Sequence, residues 1–300
     1  MIFNFIVILF TLTPFSADKV EIIKEEGESI IHLIGNVVIK DENVKIECED
    51  ARMYETEDYV ILDNEVVITD KEGSIKADHA QYRFAEKQGY MTGDVNLVSG
   101  KQIITAESLY YDGNRSYVEM HRNVVIEDQE NDMFGYGGKG WYHLDDDIGH
   151  LVEAPRIELL REDRDPIHIR AQEFELRTKQ NMFYGYDSVH AEIDSINVEC
   201  DTFTYDLADD NGAMVKPHVV EKENILKGET GAFRMKDENI ESFSVHDGWS
   251  KYLSEEGNRN EVEGDTITVI FEEGEAVKII VMGDPSGVLM LKKESENVED

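Results

Sequence analysis

The chain has 300 residues, and its 65 Asp and Glu against 29 Lys and Arg give a formal net charge of −36. Binding of nucleic acid and docking to an anionic membrane surface both need clustered cationic side chains, so this charge argues against both kinds of partner. Hydrophobic residues make up 41% of the chain, with 13 Tyr and 12 Phe, which is enough to build a core and excludes a wholly disordered acidic protein.

Residues 1–17 are typical of an export signal. An apolar run covers residues 2–15, and the small pair at 16–17 (Ser-Ala) offers a cleavage point. The run is shorter than the about 20 apolar residues that span a bilayer, which favours a signal peptide. Because no Lys or Arg precedes the run, an uncleaved anchor stays open as an alternative. At the other end, residues 291–300 form a charged tail that we expect to be frayed.

A short apolar element returns at steps of 29 residues in the first part of the chain. Its copies are 35–39 (GNVVI), 64–68 (NEVVI), 93–97 (GDVNL) and 122–126 (RNVVI). In the first copy Val37 and Ile39 are two residues apart, and the other copies keep this alternation. Side chains spaced by two lie on the same face of a β-strand, so the element predicts a strand with one apolar face.

A second element follows the first and keeps the same step. Its copies are 46–53 (IECEDARM), 75–82 (IKADHAQY), 104–111 (ITAESLYY), 169–176 (IRAQEFEL), 198–205 (VECDTFTY) and, at a step of 36, 226–233 (LKGETGAF) and 262–269 (VEGDTITV). Within it, the step of three from Ala77 to Ala80 breaks the alternation, which predicts a bulge or corner at small residues. The copies at 75 and 169 are separated by three periods and seven residues more. We therefore expect an insertion near 145–166, either in the acidic loop at 145–147 or near 161–166.

Each repeat thus predicts two strands, the second of them bent, with turns rich in Gly, Asn and Asp. No segment shows a sustained helical period. We predict an all-β protein, an elongated antiparallel sheet of 29-residue two-strand repeats that encloses an apolar trough and carries its charges outside. Residues 18–290 are expected to form one continuous domain, with longer repeats at 226–290.

The alternation G-x-V-x-I followed by I-x-A-x-x-A-x-Y, behind an export signal, resembles the OstA-like family of LptA-type periplasmic lipopolysaccharide-transport bridge proteins. The resemblance covers about residues 30–290, and its closest single matches are 75–82 and 264–271 (GDTITVIF). It implies a folded-over antiparallel β-jellyroll, or β-taco, whose lumen holds lipid acyl chains. Such non-enzymatic units join edge to edge between the two membranes of a diderm envelope.

The family resemblance also implies partners. These are lipopolysaccharide acyl chains, LptC-like and LptD-like transport subunits that add to the edge strands, and further copies of the chain joined head to tail. No cofactor, metal or catalytic residue is expected. Because the same module forms the body of the inner-membrane-anchored subunit, the bridge role and the anchored-subunit role both stay open.

An apolar trough suits the implied role, because each methylene of an acyl chain gains about 0.8 kcal/mol on leaving water. The candidate groove residues are therefore the inward apolar positions of the repeats. They are Val37, Ile39, Ile46, Met53, Ile68, Ile75, Tyr82, Leu97, Ile104, Tyr111, Ile126, Phe174 and Phe203. Plain hydrophobic core is the alternative role for each of them taken singly.

Two other classes of protein fit part of the pattern. A parallel β-helix that binds or cleaves polysaccharide has room for three short strands in each 29-residue rung, but the repeat shows two strand signals and no Asn ladder. A structural scaffold or adhesin with a lumen filled by side chains also fits. The packing of inward Tyr82, Tyr111 and Tyr205 decides between a filled and an open lumen.

The two cysteines, Cys48 and Cys200, occupy the same slot of their repeats, which alanine fills in other copies. We interpret them as buried small residues, because equivalent slots several repeats apart are too distant for a disulfide.

None of the nine histidines falls in a metal-binding signature. The acidic runs at 128–132 and 145–147 fit no EF-hand and are interpreted as solvated turns.

The glycine-rich segment 134–140 (FGYGGKG) invites a phosphate-loop interpretation but lacks the Walker spacing and a following helix. Gly135 and Gly138 lie 29 residues after Ala106 and Leu109. We therefore interpret these two glycines as occupants of the core slots of the repeat rather than as part of a nucleotide site.

Overall fold

The computed structural model describes residues 14–25, 28–40, 44–54, 58–71, 73–83, 85–162, 164–254, 257–272 and 275–291. Most of the predicted leader and most of the charged tail lie outside the described residues. The chain divides into two compact units, residues 1–159 and 160–300, which are described separately. The single domain expected over 18–290 stays a prediction.

The first unit is an antiparallel meander in which most strands pair with the next along the chain. Its strands are β1 (Phe15–Ser16), β2 (Lys19–Glu25), β3 (Glu28–Lys40), β4 (Lys45–Tyr54), β5 (Tyr59–Thr69), β6 (Gly73–Arg83), β7 (Gln88–Ser99), β8 (Gln102–Asp112), β9 (Tyr117–Asp128), β10 (Met133–His143), β11 (Ile148–Val152) and β12 (Arg156–Arg161), whose last two residues belong to the second unit. Both β1 and β2 pair with β3, and both β11 and β12 pair with β10. Thus β1 and β2 together form one broken strand beside β3, and β11 and β12 together form one broken strand beside β10.

The second unit continues the same pattern. Its strands are β13 (Arg164–Arg170), β14 (Glu173–Arg177), β15 (Met182–Ile193), β16 (Ile196–Asp206), β17 (Asn211–Val215), β18 (His218–Glu221), β19 (Asn224–Lys227), β20 (Thr230–Lys236), β21 (Asn239–Leu253), β22 (Arg259–Glu272), β23 (Glu275–Met282) and β24 (Ser286–Met290). One short 3-10 helix, Thr178–Gln180, is the only helix in the described part of the chain. The antiparallel all-β fold is confirmed, and the parallel β-helix is wrong because the described pairings are antiparallel.

The strands bend at one level, where two residues of one strand face a single residue of the next. In β5, Asn64 and Glu65 have φ of 64° and 54° and lie opposite Asp78 of β6. This is a β-bulge whose two residues adopt the left-handed conformation. The same left-handed corner recurs at steps of 29 residues at 35–36, 64–65, 93–94 and 122–123.

The predicted break between Ala77 and Ala80 is part of this corner, and both alanines are buried. However, the additional residue of the bulge lies in the first strand of each repeat, where the left-handed pair is found. The expectation that only the second strand bends was wrong, because paired strands must turn together to keep their hydrogen bonds.

Burial on both sides of the corner shows that the sheet of the first unit folds over on itself. In β6, Ile75 is 1% exposed before the corner and Ala80 is 2% exposed after it. A single open layer would leave both of its faces in water. The walls on either side of the corners therefore cover each other, while Lys76 and Asp78 point outward and are exposed.

The seven additional residues are shared between two places. The turn between β9 and β10 spans 129–132, whereas the equivalent turn between β7 and β8 spans only 100–101. The others fall between β12 and β14, around 161–166. The acidic turn at 144–147 has the same length as the turn at 113–116 and carries none of them.

The longer turn before β10 shifts the glycines of that strand. Gly137 faces Val124 in β9, which is the place that Ala106 holds opposite Val95 in the preceding repeat. The slots assigned from a strict 29-residue step were therefore wrong by two residues. The corrected assignments are Gly137 instead of Gly135 and Gly140 instead of Gly138.

Candidate functional site: the apolar interior

One wall of the first unit presents an unbroken cross-strand row of apolar side chains. Consecutive members are direct partners in the antiparallel register, and each comes from a different strand. The row is Ile39, Ile46, Ile68, Ile75, Leu97, Ile104 and Ile126. We call it the isoleucine row. All seven residues were predicted as groove positions, and the register brings them together.

The other wall carries further inward positions of the first unit, whereas Val37 lies on the wall of the isoleucine row. A second row of direct partners runs through Ile31, Met53, Val60, Tyr82, Gly89, Tyr111 and Val118. Of these, Met53, Tyr82 and Tyr111 were predicted. The sequence analysis missed the others because they belong to the first strand of each repeat before its corner, outside both recognised elements.

Glycines make room for the inward tyrosines. A Cβ placed on Gly89 would lie 3.2 Å from Cδ2 of Tyr82, and one placed on Gly149 would lie 2.9 Å from Cδ2 of Tyr142. Burial raises the pKa of Tyr82 to about 12 and also raises the pKa of Tyr111. Both phenols are therefore neutral near pH 7, as a hydrophobic interior requires.

The predicted groove residues differ in how closed their surroundings are. Eight are buried: Val37, Ile39, Ile46, Ile75, Leu97, Tyr111, Phe174 and Phe203. Five are half-buried: Met53, Ile68, Tyr82, Ile104 and Ile126. None of the thirteen is exposed. Burial alone does not distinguish a lipid contact from a core contact.

In the second unit a continuous series of aromatic rings fills part of the interior. Ring centroids are 5.9 Å apart for Phe174 and Phe183, 5.3 Å for Phe183 and Phe203, and 5.5 Å for Phe203 and Phe233. Phe243 extends the series at 6.4 Å from Phe233. Phe174 and Phe203 were predicted as inward residues, whereas the other three were not selected.

Beside these rings the second unit contains an apolar cleft of about 470 Å³, part of which is open to solvent. Phe243 and Tyr252 both line it, although they lie in β21 on opposite sides of the corner at Asp247. The two walls therefore face each other across this cleft. Its other lining residues are Ile196, Val219, Glu221, Asn224, Ile225, Leu226, Ser250, Lys251, Val269, Phe271, Ala276 and Ile279.

No cleft residue had been selected as a candidate site, although the sequence held a signal for two of them. Leu226 and Val269 belong to the copies 226–233 and 262–269 of the second element. Their inward direction followed from that pattern. The width of the cleft did not, because it depends on how far apart opposite side chains hold the two walls.

The cysteines are structural. Cys48 and Cys200 are both free and buried, which confirms their interpretation as small core residues. Burial raises the pKa of each thiol to about 12, so neither is a nucleophile near pH 7.

Across the described residues, no group of three or more His, Cys, Asp or Glu is arranged to hold a metal ion. The same residues include no helix with the length and apolar character needed to cross a membrane.

Among solved structures, the chain is similar to LptH, described as the LptA homologous periplasmic component of the conserved lipopolysaccharide transport device from Pseudomonas aeruginosa. The two share 14% sequence identity with a TM-score of 0.22, over 44% of this chain and 74% of that chain. No curated protein matches the chain.

A family model described as "LptA/(LptD N-terminal domain) LPS transport protein" matches residues 13–137 and 74–275, which together span 13–275. Overlapping matches are expected where one module is repeated along a chain. The matched span includes the isoleucine row of the first unit and most of the cleft of the second. The chain therefore belongs to the LptA/LptD N-terminal domain family of lipopolysaccharide transport proteins, as its repeat pattern predicted.

Proposed function

We propose that this protein carries lipopolysaccharide across the aqueous periplasm of a diderm envelope by holding its acyl chains in the apolar interior, without catalysing a reaction. The observation that carries the proposal is the isoleucine row, which supplies one branched apolar side chain from each successive strand. Each methylene in contact with such a surface is stabilised by about 0.8 kcal/mol relative to water. Because no polar side chain interrupts the row, an acyl chain can slide along it without crossing a large free-energy barrier.

The anionic character of the protein limits how the lipid is held. With a net charge of −36, the protein repels phosphates and acidic sugars. We therefore propose that the head group stays in solvent outside the two walls and that only the acyl chains enter. The protein then contacts the tails of the lipid and not its head.

The outermost strands of each unit support docking by strand addition. In the described part of the second unit, β23 and β24 pair with β22 alone and carry exposed Val277, Met282 and Leu289. In the first unit, β1 and β2 pair with β3 alone, and Ile22 is 70% exposed. Open apolar edges invite another strand. We propose LptC-like and LptD-like subunits, or another copy of this chain, as the partners.

Photo-crosslinking in cells tests the acyl-chain proposal. A photo-reactive phenylalanine at Tyr82 changes the shape of an inward, half-buried side chain very little. The matched control is Tyr90, which is 45% exposed on the outer face of the neighbouring strand. We expect lipopolysaccharide, identified by mass spectrometry, to be captured at Tyr82 and not at Tyr90. Capture at Tyr90 alone would show that lipid travels outside the walls.

A further inference from the structure

One outer face of the second unit carries no Asp, Glu, Lys or Arg, although these residues make up 31% of the chain. Two rows of direct register partners cross it, each with one residue from β15, β16, β17, β20, β21, β22 and β23. The rows are Tyr186, Thr202, Val215, Thr230, His246, Thr266 and Met282, and Tyr184, Thr204, Ala213, Ala232, Ser244, Thr268 and Ile280. We call these residues the neutral face.

The neutral face is directed away from the interior. Between its two rows lie residues such as Phe203, Met214 and Ile267, which are buried. No member of the neutral face is buried, and Val215 and Met282 are 42% and 56% exposed. Protein–protein interfaces are depleted of charged side chains at their centre. An uncharged surface on a protein with a net charge of −36 therefore indicates a contact with another protein surface.

The neutral face can be covered at little cost, because polar groups on it already have partners within it. The Oγ atom of Ser244 lies 2.9 Å from Oγ1 of Thr268. Nδ1 of His246 lies 3.2 Å from Oγ1 of Thr266. These groups keep their hydrogen bonds when water is removed, so their desolvation leaves no unpaired donor or acceptor.

The two margins of the neutral face differ in charge. The margin along the corners is mostly acidic, and its charged, exposed residues are Asp187, Asp201, Lys216, Glu229, Asp247, Asp265 and Asp284. Lys216 is already paired with Asp201 at 2.7 Å. On the opposite margin, the next row of register partners contains Arg234, Lys278 and Asp206. Among the residues that the structure describes, neither Arg234 nor Lys278 forms an ion pair.

We propose that two copies of the protein pack against each other through the neutral face, side by side rather than edge to edge. A two-fold axis that crosses the strands places the acidic margin of each copy over the basic margin of the other. Strand β20 then lies over β20 of the second copy, and Glu229 of one copy meets Arg234 of the other. Elsewhere on their charged outer faces, two copies of charge −36 repel each other. This inference goes beyond the proposed function and does not depend on what the interior holds.

The area of the neutral face is sufficient for a weak, reversible dimer. Seven strands at a spacing of about 4.8 Å extend over about 29 Å, and the two rows with their margins extend over about 20 Å along the strands. The contact therefore covers about 600 Å² on each copy, or about 1,200 Å² in total, which is the lower limit for a specific interface. Two sheets that pack face to face in this way keep their strands within about 30° of each other.

Sedimentation velocity tests this arrangement on the purified full-length protein at about 1 to 100 µM. We expect an equilibrium between monomer and dimer. Arg234→Glu and Glu229→Arg should each raise the dissociation constant about tenfold or more, because each change places like charges opposite each other twice in the dimer. The variant that carries both changes should recover to within about threefold of the original value. Because the two residues are about 17 Å apart along β20, such a recovery requires a contact between copies.

Glu229→Arg is the most discriminating variant, because it makes the net charge less negative and would strengthen any association limited by general repulsion. Asn197→Glu is the control, since Asn197 is exposed in β16 on the other side of the corner and should not affect the dissociation constant. A monomer throughout, undiminished association of Glu229→Arg, or no recovery in the double variant would each overturn the inference. Assemblies larger than a dimer that are insensitive to these changes would also overturn it and would favour contact through the edge strands.

Discussion

The left-handed corners require single residues to adopt a positive φ, and Gly93 shows this requirement most clearly. Its φ is 81°, and a Cβ added there would lie 2.5 Å from Cβ of Asp78 on the neighbouring strand. We expect Gly93→Ala to lower the free energy of unfolding by about 2 kcal/mol or more, from backbone strain together with the overlap. Chemical denaturation of the purified protein measures this change.

Gly100→Ala separates the two causes. Gly100 also has a positive φ, 58°, but a Cβ added there meets nothing within 4 Å. Only the backbone penalty of about 1 kcal/mol then applies. Equal losses of stability in the two variants would show that the contact with Asp78 has no role at the corner.

Residue identity explains the left-handed conformation at some corners but not at others. Gly35 and Asn36 are residues that adopt positive φ readily, and so are Gly93 and Asp94. Arg122 adopts a φ of 62° although arginine has no such preference. Here the pairing of neighbouring strands overrides local propensity, and no single copy of the element reveals it.

At the scale of elements, Arg161 fixes the segment that interrupts the repeat. Its guanidinium donates to Oδ1 of Asp194 at 2.7 Å and to the carbonyl oxygen of Asp165 at 2.6 Å, and its side chain is only 2% exposed. The same ion pair lowers the pKa of Asp194. The inserted residues around 161–166 are therefore anchored at the turn between β15 and β16.

We expect Arg161→Gln to lower the free energy of unfolding of the second unit by about 1.5 kcal/mol. The value is at the low end for a charged hydrogen bond because Asp194 is 44% exposed and can be rehydrated. The contribution is present above the ordinary Asp range and is lost as pH falls through the lowered pKa of Asp194. Denaturation at pH 7 and pH 3 should show a smaller pH difference in the variant.

Arg164→Gln is the comparison for this prediction. Arg164 is exposed and bonds the Asn239 side chain, so its loss should change stability by less than about 0.5 kcal/mol. If the two variants lose equal stability, or if Arg161→Gln keeps the full pH difference, the ion pair with Asp194 is not what holds the segment.

The strands themselves were the most predictable elements, because Ile46 and Ile75 and their equivalents repeat a clear two-residue alternation. The filling of the interior was not predictable in the same way. Phe183 and Phe233 come from different strands, and their rings meet Phe203 only after the sheet has folded.

At the scale of the whole molecule, the charge of −36 opposes compaction. Like charges on the outer faces repel one another over a Debye length that falls from about 30 Å at 0.01 M salt to about 8 Å at 0.15 M. We expect the midpoint of thermal unfolding to rise between these two NaCl concentrations, because screening weakens repulsion more than it weakens short ion pairs. Differential scanning calorimetry at pH 7 measures the shift. A lower midpoint at 0.15 M would mean that pairs such as Arg161 with Asp194 outweigh the repulsion.

The recurrence of the corners has a consequence for how proteins of this kind change in size. Loss of residues 64–92 would join Asp63 directly to Gly93, which begins the next corner. One 29-residue module would disappear, and every remaining side chain would keep its face of the sheet. Loss or gain of one residue within a strand would instead turn a whole wall inside out. Length is therefore adjustable in whole modules, and the surplus residues that this chain does carry are found at turns or beside the Arg161 anchor.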